Sequence, residues 1–455
     1  MSDQNEVEDW VINPDLSQDD LEGKQPHIDN GTEPLDPGRY YSKAFMDMEW
    51  DHMWTRTWLL AGVESDIQEP GDYLLYKIRH EEIIVTRQDD NSVKAFYNVC
   101  PHRGNRLVFN DRGTLMQFTC AFHSWQFGLN GCLKKITDEE TFRPDVVKHR
   151  PGLTGVRCAT RAGLIFINMD EDAPALEERL GLPEGYLEQY HIEKMHVVRH
   201  VIPEWRANWK NGVDAFYETY HLHAIHPQTQ GVMADIGTQY DLYPHGSQRM
   251  IVPIGCKSPR VEDQDTVDEG LRYMMSSEGM DADAYTGTAQ EVRAAIAAHK
   301  RERAKTLGFD YNHFTDTQLT DSWATGIFPN VQIGMHPEGC FLMRFMPHAT
   351  DPQRFYYDTI TLFRSAEGHP DYQAPAWMGV PDHLDLSGET RPDIEYYTVG
   401  EDANLGEVLS QDVALLESIQ VGIHSRGFKG ALWSEQEQRI RHYHRELDRY
   451  VDGEK

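Results

Sequence analysis

The sequence predicts an α+β fold in two parts: a small all-β domain, then a larger domain that mixes long strands with helices. Three observations predict it. The chain has 455 residues, more than one compact core usually holds. Between Asp72 and Asn168, short runs of β-branched and aromatic residues alternate with turn residues, the pattern of several short strands. After Asp170 the texture changes to helical periodicity and longer strands.

Residues 1 to about 40 are polar and end in Asp36-Pro37-Gly38. We read residues 1–44 as an N-terminal arm lying against the larger domain. A helical pattern runs from Tyr41 to Leu60. Strand signals follow at Asp72 to Ile78, Glu82 to Arg87 and Val93 to Val99, with Asp89 to Ser92 as a turn. Shorter ones lie at Leu115 to Thr119, Trp125 to Phe127 and Gly163 to Asn168. The all-β domain therefore occupies residues 45–165, and the larger domain residues 166–455. Helices are expected at Ala173 to Leu180 and Trp205 to Ile225. The polar stretch at about 258–319 reads as an insertion, with a helix at Ala289 to Leu307 rich in Ala, Arg, Glu and Lys. Gly326 to Met335, Gly339 to Pro347 and Phe355 to Phe363 read as longer strands. Leu405 to Ile423 and Glu435 to Val451 read as helices.

Composition narrows the function. Hydrophobic residues make up 39% and charged residues 26%, as in a globular protein. The formal net charge of -31 argues against nucleic acid or an anionic membrane, which need clustered Lys and Arg. No apolar run approaches the roughly 20 residues of a membrane span. The acidic N-terminus lacks the basic-then-apolar pattern of a secretory signal, so a cytoplasmic location is expected. Six cysteines in this length do not make a disulfide framework. Only Cys100 and Cys120 sit in a chemical pattern.

That pattern is Cys100-Pro101-His102, followed by Cys120-Ala121-Phe122-His123. Two thiolates and two imidazoles on two loop tips suit a metal centre, either an iron–sulfur cluster or zinc. Cys-x-His is an unusual half of a zinc site, where two to four intervening residues are typical.

A second pattern is Asp214, Glu218, His221, His223 and His226. Spacings of four and three place Asp214, Glu218 and His221 on one face of a continuous helix. Pro227 ends the helix near His226, and the turn swings that imidazole back towards His221. Two histidines and a carboxylate form the facial set that leaves positions open on non-haem Fe(II). His223 points elsewhere and reads as a supporting or pocket residue.

Cys100-Pro101-His102-Arg103-Gly104 and Cys120-x-x-His123-x-Trp125 resemble the Rieske boxes of aromatic-ring-hydroxylating oxygenase α subunits. The likeness runs from about residue 40 to 450. It implies a [2Fe-2S] cluster held by Cys100, His102, Cys120 and His123. Phe122 stands where Tyr is usual and Ser124 where Gly is usual; the lost hydroxyl would shift the cluster potential. His221 and His226 fall on the family's ligands to a single Fe(II). Gln411-Asp412 and the helix after it are similar to the family's C-terminal helix, which implies Asp412 as third ligand; Asp402 and Glu407 are its rivals. Glu218 falls on the bridging carboxylate, usually Asp, that links the iron side of one subunit to the Rieske histidine of its neighbour. Asp214 falls where Asn is common, and with Glu218 it is taken as a catalytic candidate.

The resemblance further implies a small Rieske domain joined to a helix-grip (START/Bet v 1-like) catalytic domain with an antiparallel sheet. It implies an α3 homotrimer, with or without a β subunit, fed by an NAD(P)H-dependent reductase directly or through a ferredoxin. The expected reaction hydroxylates or dihydroxylates an aromatic or other hydrophobic cyclic substrate with O2. Oxidative N- or O-dealkylation, quaternary amines included, is the alternative. A Rieske electron-transfer protein without catalytic iron and a zinc-stabilised binding module are readings of other classes. Phe216, Tyr217, Tyr220, Phe341, Met343, Phe345 and Met346 are candidates for an apolar pocket.

Overall fold

A computed structural model describes residues 23–148, 152–369, 372–381 and 384–455. The beginning of the arm, before Gly23, lies outside the described residues. The chain first forms a short helix, α1 (Lys43–Glu49), capped by Ser42, and continues as a π-helical turn to Trp54. Leu59 and Leu60 lie in a strand instead of extending this helix. Their side chains are buried in two different cores, and burial overrides local helical periodicity.

Ten strands build the first part: β1 (Leu59–Val63), β2 (Asp72–Ile78), β3 (Glu81–Arg87), β4 (Val93–Tyr97), β5 (Arg112–Thr114), β6 (Phe118–Thr119), β7 (Gln126–Phe127), β8 (Leu133–Lys135), β9 (Gly155–Arg161) and β10 (Leu164–Asn168). They form a seven-stranded sheet, β1-β10-β9-β4-β3-β2-β5, and a three-stranded one, β6-β7-β8. The small sheet presents one of the two Cys/His loops, between β6 and β7, and the other loop leaves β4.

The second part is one eight-stranded sheet, β12-β13-β14-β15-β16-β17-β11-β18. Its strands are β11 (Met195–Trp205), β12 (Gln239–Leu242), β13 (Gln248–Val252), β14 (Ser322–Ile327), β15 (Val331–Met335), β16 (Gly339–Pro347), β17 (Phe355–Arg364) and β18 (Glu395–Tyr397). All neighbours are antiparallel except β11 and β18. The run Gly326 to Met335 is two strands, not one. Pro329 carries no N–H for a ladder, and the chain reverses there so that Ile327 pairs with Val331.

Across the sheet lie α2 (Trp209–Phe216) and the short α3 (Leu222–Ile225). The excursion between β13 and β14 carries α4 (Glu269–Ser277) and α5 (Val292–Thr306). The chain ends with α6 (Glu407–Ile423) and the strongly amphipathic α7 (Gln438–Val451). No helix among the described residues is long and apolar enough to cross a membrane.

The two parts share a core. Leu74, Val85 and Ile165 belong to the same buried cluster as Trp209, Phe345 and Tyr357. A buried ionic chain also joins them: Arg344 donates to the carbonyl oxygens of Leu60 and Ala61 and pairs with Asp358 at 2.6 Å. Asp358 meets His200 at 2.9 Å, and Arg391 bridges His200 to Asp66. Arg39 pairs with Asp448, and the Tyr40 hydroxyl donates to Asp214.

Candidate metal centres

The two Cys/His loops have the same backbone design. The Cys100 N–H donates to the Asn105 carbonyl, and the Cys120 N–H to that of Trp125; the Gly104 and Ser124 N–H groups return to the two cysteine carbonyls. Closing each loop needs a left-handed residue, Gly104 at φ 77 and Ser124 at φ 57. Ser124 thus occupies a glycine-type position, at a local backbone cost.

Both thiols are 1% exposed and unbridged. Burial raises the Cys100 thiol. Burial also pulls on Cys120, but the N–H groups of Phe122 and His123, the Cys100 thiol and the Asn105 amide outweigh it and hold that sulfur below its usual range. The His102 and His123 rings lie 4.6 Å apart. His102 stacks on Trp125 at 4.8 Å. The His123 Nδ1 is buried with no hydrogen-bond partner among the described residues, as a metal-facing nitrogen is before its ion is added. This donor set fits a two-thiolate, two-imidazole cluster. Phe122 is 52% exposed, with Arg103 over its ring at 4.7 Å.

At the second site, α2 does not run through to Ile225. It stops at Phe216, and Tyr217 leaves helical geometry at φ -99, ψ 12. A continuous helical face therefore does not explain the arrangement. Instead Glu218 caps the next turn: its Oε2 accepts the His221 N–H at 3.0 Å, and its Oε1 lies 2.6 Å from His221 Nδ1. Asp214 is drawn away, to the Tyr40 hydroxyl at 2.6 Å and His444 Nε2 at 3.0 Å. His226, at φ -120 before Pro227, ends α3 and turns its ring back, 5.3 Å from that of His221.

His221, His226 and Asp412 offer ligand atoms within 4.8 Å of one another, close enough to hold one ion. Nε2 of His226 lies 2.8 Å from the Asp412 carboxylate and Nε2 of His221 3.6 Å from it. Asp402 and Glu407 are not in this group. His223 is also outside it, with a buried Nδ1 that has no hydrogen-bond partner among the described residues. The outer nitrogens are tied to acceptors: His221 Nδ1 to Glu218, and His226 Nδ1 to the Gln411 amide oxygen at 2.7 Å. Gln411 is itself oriented by Gln228. These partners place both protons on Nδ1 and leave both Nε2 lone pairs for a metal. Burial opposes charge on His221, but the Glu218 hydrogen bond and the charges of Glu218 and Asp412 outweigh it and raise its pKa.

Gln411 has no assigned role in the sequence reading; its adjacency to the candidate ligand Asp412 is the available signal. Tyr40 and His444, the partners of Asp214, carried no local signal. Among the pocket candidates, Phe216, Tyr217, Phe345 and Met346 are buried core, and Tyr220 is 46% exposed. Phe341 and Met343 stay half-buried in mid-sheet.

A groove of about 530 Å³ opens beside the triad, lined by Asp214, Glu218, Glu437, Leu415, Ile419 and Trp433 among others. Burial, with the nearby charges of Glu218 and Asp214, raises the Glu437 carboxyl.

Comparison with known proteins gives the same two parts. The family described as "Ring hydroxylating alpha subunit (catalytic domain)" matches residues 192–453, and the Rieske [2Fe-2S] domain matches residues 57–150. The biphenyl 2,3-dioxygenase α subunit of Rhodococcus jostii is 30% identical over 220 residues, 47% of this chain and 48% of that protein. The carnitine monooxygenase oxygenase subunit of Escherichia coli K12 is 33% identical over 195 residues, 42% of this chain and 52% of that one. These matches span about half the length of either relative. Among solved structures, a quaternary ammonium Rieske monooxygenase with L-carnitine superposes with TM-score 0.62 at 19% identity, covering 93% of this chain and 97% of that one. Naphthalene 1,2-dioxygenase from Rhodococcus sp. bound to indole gives 0.61 at 18% identity, covering 92% and 94%. The α+β fold, with its antiparallel sheet curled around helices, is the one these neighbours have. The match over more than half of the chain shows that this protein belongs to the ring-hydroxylating α-subunit family and carries that family's Rieske domain.

Proposed function

We propose that the chain is the terminal oxygenase of a Rieske system, hydroxylating or dihydroxylating a hydrophobic cyclic substrate with O2 and electrons derived from NAD(P)H. One observation carries this reading: a single chain holds a two-Cys, two-His set and, separately, a two-His, one-carboxylate set. Cys100, His102, Cys120 and His123 would hold the cluster; His221, His226 and Asp412 would hold the iron. Bound there, the cluster supplies single electrons and the iron supplies dioxygen activation. Glu218 and Gln411 keep the Nδ1 protons in place and both imidazoles oriented. We assign residues 1–44 to an arm, 45–165 to the Rieske domain and 166–455 to the catalytic domain, with the insertion at about 258–319.

The surface supports assembly with further copies of the chain. The Rieske tip exposes Arg103 over Phe122 and Arg106 over Phe109. The groove beside the triad is acidic at Asp214, Glu218 and Glu437, and Leu415 and Ile419 on α6 are 40% and 46% exposed next to it. Opposite charge and apolar rims favour a head-to-tail contact, which closes as a trimer. Electrons would come from a separate reductase.

Iron and acid-labile sulfide analysis, with electron paramagnetic resonance after partial reduction, tests the cofactors. Single-turnover product formation from a pre-reduced sample tests the activity. A colourless zinc protein, or a cluster with no second iron, overturns the reading.

A further inference from the structure

The face of the eight-stranded sheet that carries Phe345 looks towards the triad. Phe345 packs on Phe216 of α2 at 5.4 Å. Its neighbour Tyr357 is pushed well above the usual phenol range by burial and by the charge of Asp412. Alternation puts Met343 and Phe341 on this face, with Thr359 beside Met343 and Gly334 beside Phe341. Ala324 is Gly334's other neighbour.

Three glycines lie on this face, and they differ; at Gly339 a Cβ would strike the Leu362 carbonyl oxygen and the Phe363 ring. A Cβ at Gly326 would strike Gln248 and the Tyr217 ring at 2.8 and 2.9 Å, so packing fills that position. A Cβ at Gly334 would meet nothing nearer than the Phe341 ring at 3.8 Å. Met343, Phe341 and Thr359 remain half-buried in the middle of the sheet. Small residues and open side chains therefore make a trough leading away from the triad.

His336 stands at its far end, two residues beyond Gly334. It is 5% exposed, edge-on to Trp377 at 5.1 Å and to Phe341 at 6.4 Å. Trp377 is fixed by its indole N–H to Glu278 at 2.5 Å. Burial and the Lys300 charge push the His336 imidazole down to about 4, so it is neutral. No hydrogen bond reaches its ring from the described residues. A neutral imidazole has one donor and one acceptor, and neither ring nitrogen is among the fully sealed polar atoms that lack a partner, so both stay open to a bound molecule.

We propose that His336 is a specificity-determining residue that hydrogen-bonds a hydroxyl or carbonyl oxygen on an aromatic substrate lying along the Gly334–Ala324 trough, remote from the carbon that is oxidised. This rests on the oxygenase reading. Met343 to the His336 turn spans about 13 Å at roughly 3.3 Å per residue, room for two linked rings and a terminal oxygen.

Anaerobic calorimetric titration of the iron-loaded holoenzyme with biphenyl and with 4-hydroxybiphenyl tests it. The native protein is expected to bind the hydroxylated probe about ten-fold tighter. His336→Phe is expected to abolish that preference, and His336→Gln, which keeps a polar amide, to retain part of it. Gly334→Leu, which fills the trough, is expected to weaken both probes alike. No preference in the native protein, no binding of either probe, a preference that survives His336→Phe, or unchanged binding by Gly334→Leu each overturns the proposal. Iron and sulfide content of the same samples reports separately on the oxygenase reading.

Discussion

Glu218 holds His221 twice: one carboxylate oxygen takes its backbone N–H at 3.0 Å and the other lies 2.6 Å from its Nδ1. The residue that caps the turn also orients the imidazole. Glu218→Gln keeps an acceptor for the backbone but loses the negative charge facing the ring. We expect both metals to be retained and oxygenation to slow by about 10- to 100-fold. Single-turnover rates with a pre-reduced cluster check this; full product yield at the native rate counts against it.

Gln411 does for His226 what Glu218 does for His221, through an amide oxygen at 2.7 Å. Gln411→Leu leaves the Nδ1 proton without a partner and frees the ring to change tautomer. Iron affinity is expected to fall about 10- to 100-fold while the cluster spectrum stays unchanged. Iron retention during dialysis against a chelator measures it.

Ser124 occupies a left-handed position that its counterpart loop fills with Gly104. Ser124→Gly relieves the Cβ clash, partly offset by a more flexible unfolded chain. We expect a gain of about 0.5–1 kcal/mol, read as slower thermal bleaching of the cluster with the same optical spectrum.

Asp358 is buried between Arg344 and His200. Burial pushes its carboxyl up, but the charges of Arg344 and His200 and their hydrogen bonds outweigh this and hold it below the usual range. A depressed carboxyl stabilises fully above the unfolded pKa, about 3.9, and the benefit is lost as pH falls through the folded value. Asp358→Asn leaves Arg344 without its counter-charge, and a loss of about 3–5 kcal/mol is expected near neutral pH. Urea unfolding of both proteins near neutrality and near pH 3 checks the sign: the difference must shrink in acid.

The candidate metal-binding side chains were legible because they lie in tight local patterns. Cys100 and His102, Cys120 and His123, and His221 and His226 each sit within a few residues of one another, and Pro227 marks the turn that brings His226 back. Asp412 was reached by resemblance, since nothing local ties it to residues nearly two hundred positions earlier. The helix break at Tyr217 was not legible: an i, i+4, i+7 spacing fits a helix equally well, and only tertiary packing pulls Asp214 towards Tyr40 and His444. β11 was missed because His196, Arg199, His200 and Glu204 interrupt its apolar alternation. At least His200 and Glu204 are buried, and the ion pairs that hold them, His200 with Asp358 and Glu204 with Arg354, are made by residues far along the chain.

The long excursion carrying α4 and α5 leaves the sheet after Val252 and returns at Ser322, and these two residues are direct partners across adjacent strands. Its two ends are therefore about 5 Å apart, and the ladder closes beneath it whatever its length. Such a segment is exchangeable: a shorter or different cap can be spliced between Val252 and Ser322 without altering the register of the strands that carry Gly334 and Phe341. The surroundings of Trp377 and His336, near which Glu278 and Lys300 of this excursion stand, can thus diverge while His221, His226 and Asp412 keep their positions.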